Sequence, residues 1–146
     1  MKILITGATG FIGAALTKKL IEQGHELKLL VRSLSKAKPL KHPNVTFIKG
    51  NIYIKSDVVK AMQGCSQVYH LAAFAKVWAQ KPQVFFNVNV TGTKNILEAA
   101  HSTHIKRVVV CSTAGVFGAS TYEVITEKTT RELDFFNEYE SSKALS

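Results

Sequence analysis

The chain has 146 residues, 46% of them hydrophobic, which is enough for one core of ordinary domain size and too little for two. A net charge of +9, from 19 Lys and Arg against 10 Asp and Glu, favours anionic partners without choosing among them. No stretch reads as a signal peptide or membrane span, and no basic stripe interleaved with aromatics is present, so neither a membrane nor nucleic acid is an expected partner.

Short apolar runs alternate with helical patterns. Lys2–Thr6 reads as a strand, and Phe11–Gln23 as a helix, with Ile12, Leu16, Leu20 and Ile21 at helical spacing and Gly24 closing it. Leu27–Val31 is a second strand, followed by a basic connection from Arg32 to Pro43 and a third strand at Val45–Ile48. A short helix is predicted at Asp57–Gln63, a fourth strand at Gln67–Leu71, a long helix at Gln83–Ser102 and a fifth strand at Val108–Cys111. Gly115–Asn137 carries no clear periodicity, as functional loops often do. Six of the ten acids, Glu123, Glu127, Glu132, Asp134, Glu138 and Glu140, fall late in the chain and leave the earlier part strongly basic. Cys65 and Cys111 sit in apolar sequence without metal-ligand spacing. They read as buried hydrophobes, no metal is expected, and a reducing, cytoplasmic setting fits.

Strands flanked by helices and lacking in/out alternation are those buried on both faces. The expected fold class is therefore α/β, a Rossmann-type open parallel sheet in the order 3-2-1-4-5 with helices on both faces, formed by residues 1–146 as one dinucleotide-binding domain.

Gly7-Ala8-Thr9-Gly10-Phe11-Ile12-Gly13 places three glycines between the first strand and the first helix. A tight strand-to-helix turn needs positive φ, a pyrophosphate needs close backbone approach, and the helix start offers free N–H groups to an anion. Arg32 follows the second strand, where NAD enzymes typically place an acid on the ribose 2′-hydroxyl. Arginine there accommodates a 2′-phosphate, with Lys36 or Lys38 as a second cation, so NADP is the expected cofactor and NAD the alternative.

Thr6–Gly13 resembles the cofactor fingerprint of the extended short-chain dehydrogenase/reductases, which include the NAD-dependent epimerases and dehydratases. His70-Leu71-Ala72-Ala73 is similar to that family's H-x-A-A, Asn89-Val90-Thr91-Gly92-Thr93 to its N-V-x-G-T, and Ser112–Gly115 and Tyr139–Lys143 to its active-site blocks. Within the family the chain looks most like dihydroflavonol-reductase-like NADP-dependent reductases. Asn51 stands where the family more often carries Asp against the adenine, and Phe117 where many sugar-nucleotide epimerases have Tyr.

The resemblance implies catalysis by Thr113, Tyr139 and Lys143. The last two, four apart, share a helix face, so the ammonium would favour a phenolate and make an acid/base for carbonyl reduction or alcohol oxidation. Together with the position of Arg32 and the charge of Lys36, it gives expected cofactor contacts from Gly7, Thr9, Gly10, Phe11, Ile12, Gly13, Arg32, Lys36, Asn51, Ile52, Leu71, Ala72, Ala73, Asn89, Tyr139 and Lys143. His70 reads as a packed residue rather than a base, and Asn89 as an architectural hydrogen-bonder. A nucleotide-sugar epimerase or dehydratase and a non-catalytic NADP-binding module stay open beside the reductase. The substrate is expected to be a small carbonyl compound or alcohol. The family's C-terminal part is expected to be missing, leaving a chain that binds cofactor weakly, is a possible homodimer, and has Gly115–Ser146 mobile or packed on another copy.

Overall fold

The computed structural model describes residues 1–118 and 124–146; Glu123 and the middle of the predicted Gly115–Asn137 loop lie outside the described residues. Five parallel strands run in the order β3-β2-β1-β4-β5, as expected: β1 (Lys2–Thr6), β2 (Glu26–Val31), β3 (Val45–Lys49), β4 (Gln67–His70) and β5 (Arg107–Val110). The helices between them are α1 (Phe11–Glu22), α2 (Leu34–Ala37), α3 (Lys55–Met62), α4 (Gln83–Phe85) and α5 (Gly92–Ser102), with α6 (Glu138–Ala144) at the end.

Alternate residues of the central strands feed two separate cores. Ile3, Ile5, Leu27, Leu29 and Val31 pack with Leu20 of α1 and Ala37 of α2 on one face. Leu4, Leu30 and Val68 pack with Val58 and Met62 of α3 and Ile96 and Ala99 of α5 on the other. Burial on both faces explains why these strands carry near-continuous apolar runs.

The predicted long helix at Gln83–Ser102 is helical throughout but not uniform, because Phe86–Thr91 forms a π-helical segment between α4 and α5. The Thr93 hydroxyl donates to the Asn89 carbonyl at 2.6 Å, competing for an acceptor that a regular helix would use internally. π segments of this kind recur at functional sites. The basic connection after β2 also contains structure that the sequence pattern did not reveal, α2 and a 3₁₀ turn at Lys38–Leu40; Ser33 caps α2 by accepting from the Lys36 N–H.

Helix α6 is formed and docked, where the sequence favoured a mobile or intermolecular segment. Asn137 caps it, acids occupy its first turn and Lys143 its last, all favourable to a short helix. Its Ser142 and Lys143 are buried. Among the described residues, no helix is long and apolar enough to cross a membrane.

Candidate functional site

Every strand ends at the same edge of the sheet, and the residues just beyond β1, β2, β3 and β4 meet there. They line a cleft of about 250 Å³. Gly7, Thr9 and Gly10 supply one wall, Arg32 and Asn51 with Ile52 another, and Leu71, Ala72 and Ala73 the third. An adjoining recess is lined by Thr9, Arg32, Ser33 and Lys36, which brings the two predicted cations together. Open α/β sheets bind ligands at this carboxyl edge, where strand order reverses.

The glycine turn is fixed by contacts that exclude side chains. Gly7 has φ +76°, and a Cβ there would lie 2.6 Å from the Ala72 nitrogen and the Leu71 carbonyl carbon. Gly13 is buried at the first turn of α1, where a Cβ would collide with the Gly7 carbonyl oxygen. The turn therefore brings helix and strand into backbone contact. Helix α1 begins at Gly10 with no side-chain cap and no acid in its first turn. The backbone N–H groups of Phe11, Ile12 and Gly13 have no acceptor within the helix, and the positive end of its dipole is uncompensated. An anionic diphosphate fits these donors. The Phe11 and Ile12 side chains are themselves exposed and do not line the cleft; only their backbone belongs to the turn.

Asn51, standing for the more usual acid, donates from its side chain to the Tyr53 hydroxyl at 2.9 Å, while its backbone N–H donates to Asp57. Its side-chain carbonyl oxygen thus keeps acceptor capacity among the described residues. Phe74 and Val88, also in the cleft, were missed from sequence because apolar residues next to a motif carry no distinguishing pattern.

Behind the cleft a buried chain of hydrogen bonds joins its walls. The Thr93 hydroxyl spends its proton on the Asn89 carbonyl, so it must accept from His70 Nε2, 3.1 Å away. That leaves His70 Nδ1 to accept from the Thr6 hydroxyl at 2.6 Å, and Thr6 in turn accepts from the Ala72 N–H. His70 is thereby held neutral with its proton on Nε2. Burial, with the nearby Lys143 charge as a second cause, pushes its pKa down to about 4. It is the packed residue expected.

Asn89 is buried and also architectural. Its carbonyl oxygen accepts from the Phe74 N–H at 2.8 Å, and its amide donates to the Phe74 carbonyl and, at 2.9 Å, to the Ser142 hydroxyl. One side chain thus ties the cleft wall to α6. Lys143, on the same helix, donates to the Cys111 carbonyl just beyond β5 at 3.1 Å. Burial holds its pKa below the ordinary lysine value, opposed by Cys111. Two of its three ammonium N–H groups remain available among the described residues. Tyr139 is half-buried one turn earlier. The Thr113 hydroxyl accepts from the Gly115 N–H at 3.3 Å, which leaves its own proton to donate. Beyond Thr113 opens a second cleft, lined by Gly115, Phe117, Ile125 and Glu127 among others. Thr113, Tyr139 and Lys143 do not line the glycine-turn cleft; Lys143 and Thr113 flank the end of β5 beside it. Cys65 is buried as expected, whereas Cys111 is only half-buried.

A parallel sheet of this order, with a glycine turn closing its first crossover and cations beyond its second strand, defines a Rossmann-type dinucleotide-binding fold. The model of the NAD dependent epimerase/dehydratase family matches residues 3–146, and the chain belongs to that family. It is 34% identical over 142 residues to a 2-alkyl-3-oxoalkanoate reductase of Shewanella oneidensis, covering 97% of this chain and 36% of the relative. A dihydroflavonol 4-reductase-like protein of Synechocystis is 35% identical over 114 residues, covering 78% of this chain and 33% of the relative. Among solved structures, the UDP-glucose 4-epimerase of Thermus thermophilus in complex with NAD superposes with a TM-score of 0.86 at 29% identity, covering 99% of this chain and 48% of that one. The dTDP-glucose 4,6-dehydratase DesIV of Streptomyces venezuelae, also with NAD, gives 0.88 at 27%, covering 99% and 49%. The chain thus spans between a third and a half of these relatives, among which are reductases, epimerases and dehydratases.

Proposed function

We propose that this chain is the dinucleotide-binding and catalytic-acid portion of an NADP(H)-dependent oxidoreductase that reduces a carbonyl or oxidises a secondary alcohol. The observation that carries the reading is the position of α6, whose Lys143 reaches the end of β5 and whose Ser142 is tied through Asn89 to the cleft wall. The cofactor would supply or accept hydride at its nicotinamide. Tyr139 would give its phenolic proton to the developing alkoxide, and Thr113 would donate a hydrogen bond to the same oxygen. Lys143 would hold ribose hydroxyls with its remaining N–H groups and favour the phenolate that Tyr139 becomes.

The preference for NADP is supported by the recess of Arg32, Ser33 and Lys36, which contains two cations and no acid. The basic balance of the chain suits a cofactor with an additional phosphate. A nucleotide-sugar epimerase or dehydratase is the second reading, favoured by the NAD complexes among the structural relatives. Two free cysteines fit cytoplasmic residence, a small-molecule substrate fits the family, and a homodimer would cover the exposed edge strand β5.

Incubating a catalytically competent form with NADPH and a panel of ketones and aldehydes, beside a panel of nucleotide sugars, separates the readings. Net oxidation of NADPH by carbonyl compounds is expected. Isomerised or dehydrated sugars with no net cofactor turnover would replace the reductase by the epimerase or dehydratase, and binding without turnover on either panel would leave the non-catalytic module.

A further inference from the structure

Arg131 belongs to no motif in the sequence, yet its guanidinium is nearly enclosed, with 12% of the side chain exposed. Nε donates to the Leu133 carbonyl at 2.7 Å, Nη1 to the Gly115 carbonyl, and Nη2 both to the Asp134 carbonyl at 2.7 Å and to Glu140 Oε2 at 2.8 Å. Four of its five N–H groups are thus committed, and its charge lies 4.4 Å from the centre of the Phe135 ring. Glu140 answers from α6: the same carboxylate oxygen accepts from the Phe136 N–H at 3.1 Å. That bond, and the Arg131 guanidinium after it, hold the Glu140 carboxyl below its ordinary range.

The packing is as close as the bonding. A Cβ on Gly115 would lie 3.3 Å from Glu140 Cγ, and one on Gly118, whose φ is +81°, would lie 3.4 Å from Arg131 Cγ. Gly115 is therefore held from two sides. Its N–H donates to the Thr113 hydroxyl, and its carbonyl accepts from Arg131. Glu140 is the next residue after Tyr139 on α6. An isolated exposed ion pair is worth little, but a half-buried one tied into a network of several hydrogen bonds holds its groups in a fixed geometry.

We propose that Arg131 and Glu140 form a strut that sets the Thr113 hydroxyl against the Tyr139 phenol, which makes Arg131 a positioning residue for the reaction. The inference rests on the reading of Thr113 and Tyr139 given above. Arginine suits the task because its planar fork reaches several carbonyls and a carboxylate in one fixed geometry, which the point charge of lysine does not. The strut touches neither the glycine turn nor the Arg32 recess, and Lys143 and Ser142 keep their own bonds to the Cys111 carbonyl and Asn89, so its loss should spare cofactor binding.

The test compares Arg131→Met, Arg131→Lys, Glu140→Gln and the double variant Arg131→Met/Glu140→Gln in a catalytically competent form. Measured are kcat, KM, NADPH affinity, and hydrogen exchange at the Phe136 and Glu140 amides. Arg131→Met should lower kcat by about 10- to 100-fold, the scale of a catalytic group displaced by about 1 Å, with NADPH affinity unchanged. Arg131→Lys should fail to restore it. The double variant should be no worse than Arg131→Met alone, because the two side chains act as one unit. Wild-type kcat in Arg131→Met, full rescue by lysine, or kcat and NADPH affinity falling in parallel would overturn the strut. Should the wild-type protein turn over no substrate, the functional reading fails separately, and exchange alone judges the strut. Faster exchange at Phe136 and Glu140 in Arg131→Met, with the core strands unchanged, supports it; unchanged exchange overturns it.

Discussion

The turn at Gly7–Gly13 and the described residues of 113–118 and 131–143 lie at the same edge of the sheet, but different forces hold them there. The turn is fixed by backbone: glycines packed against carbonyls, a helix start without a cap, and two apolar cores directly beneath. The later segment is fixed by polar side chains: Asn89 on Ser142, Lys143 on the Cys111 carbonyl, and Arg131 on Gly115 and Glu140. Packing that excludes side chains makes a rigid turn tolerant of little change. Directional hydrogen bonds instead place individual side chains, and each can be removed without unfolding the sheet.

The sharpest break between the two regions is expected at Tyr139. Tyr139→Phe should lower turnover by about 10²- to 10⁴-fold, the usual worth of a general acid, while leaving NADPH affinity unchanged. Thr113→Ala should cost less, and Thr113→Ser should retain activity, because only the hydroxyl is used. Steady-state kinetics beside equilibrium titration reads both quantities. A Tyr139→Phe enzyme that keeps its rate removes the acid/base role, and one that loses cofactor binding dissolves the distinction between the regions.

A smaller effect belongs to the buried chain that joins the two regions. The folded pKa of His70, about 4, lies below its ordinary 6.5, so the unfolded chain takes up the proton first. The contribution to stability is fully present above pH 6.5 and is lost as the pH falls toward 4, by up to about 3 kcal/mol. Denaturant unfolding across that window should therefore show a steeper fall for the wild type than for His70→Gln, which has no proton to take up. Equal slopes would mean that His70 is not held neutral.

The same difference between regions explains what could be read from the sequence. Strand order, the glycine turn and the wall at Arg32 were legible because each follows from a local pattern, an apolar run, a glycine spacing or the residue just after a strand, whereas Asn51 and Leu71–Ala73 were legible only through the family resemblance. Arg131 was not legible, since its partners Gly115 and Glu140 lie 16 residues before it and 9 after it and share no period with it, and its nearer partners are backbone carbonyls that leave no mark in the sequence. The π segment was hidden for a related reason. It is a change of backbone bonding, and the apolar spacing of Gln83–Ser102 looks the same with or without it. Docking of α6 likewise depends on Asn89 meeting Ser142, 53 residues later. Phe11 and Ile12 mark the opposite case, because the motif contains them while their side chains point away from the cleft and only their N–H groups serve the turn.

Everything proposed for this edge of the sheet depends on its being a nicotinamide dinucleotide site whose cations select the 2′-phosphate. Titration calorimetry with NADPH and NADH, on the wild type and on Arg32→Asp, reads that selection directly. The wild type should bind NADPH more tightly, by about 10- to 100-fold for a charge-assisted contact, and Arg32→Asp should lose or reverse the preference. Equal affinities in the wild type, or a preference untouched by Arg32→Asp, would contradict it.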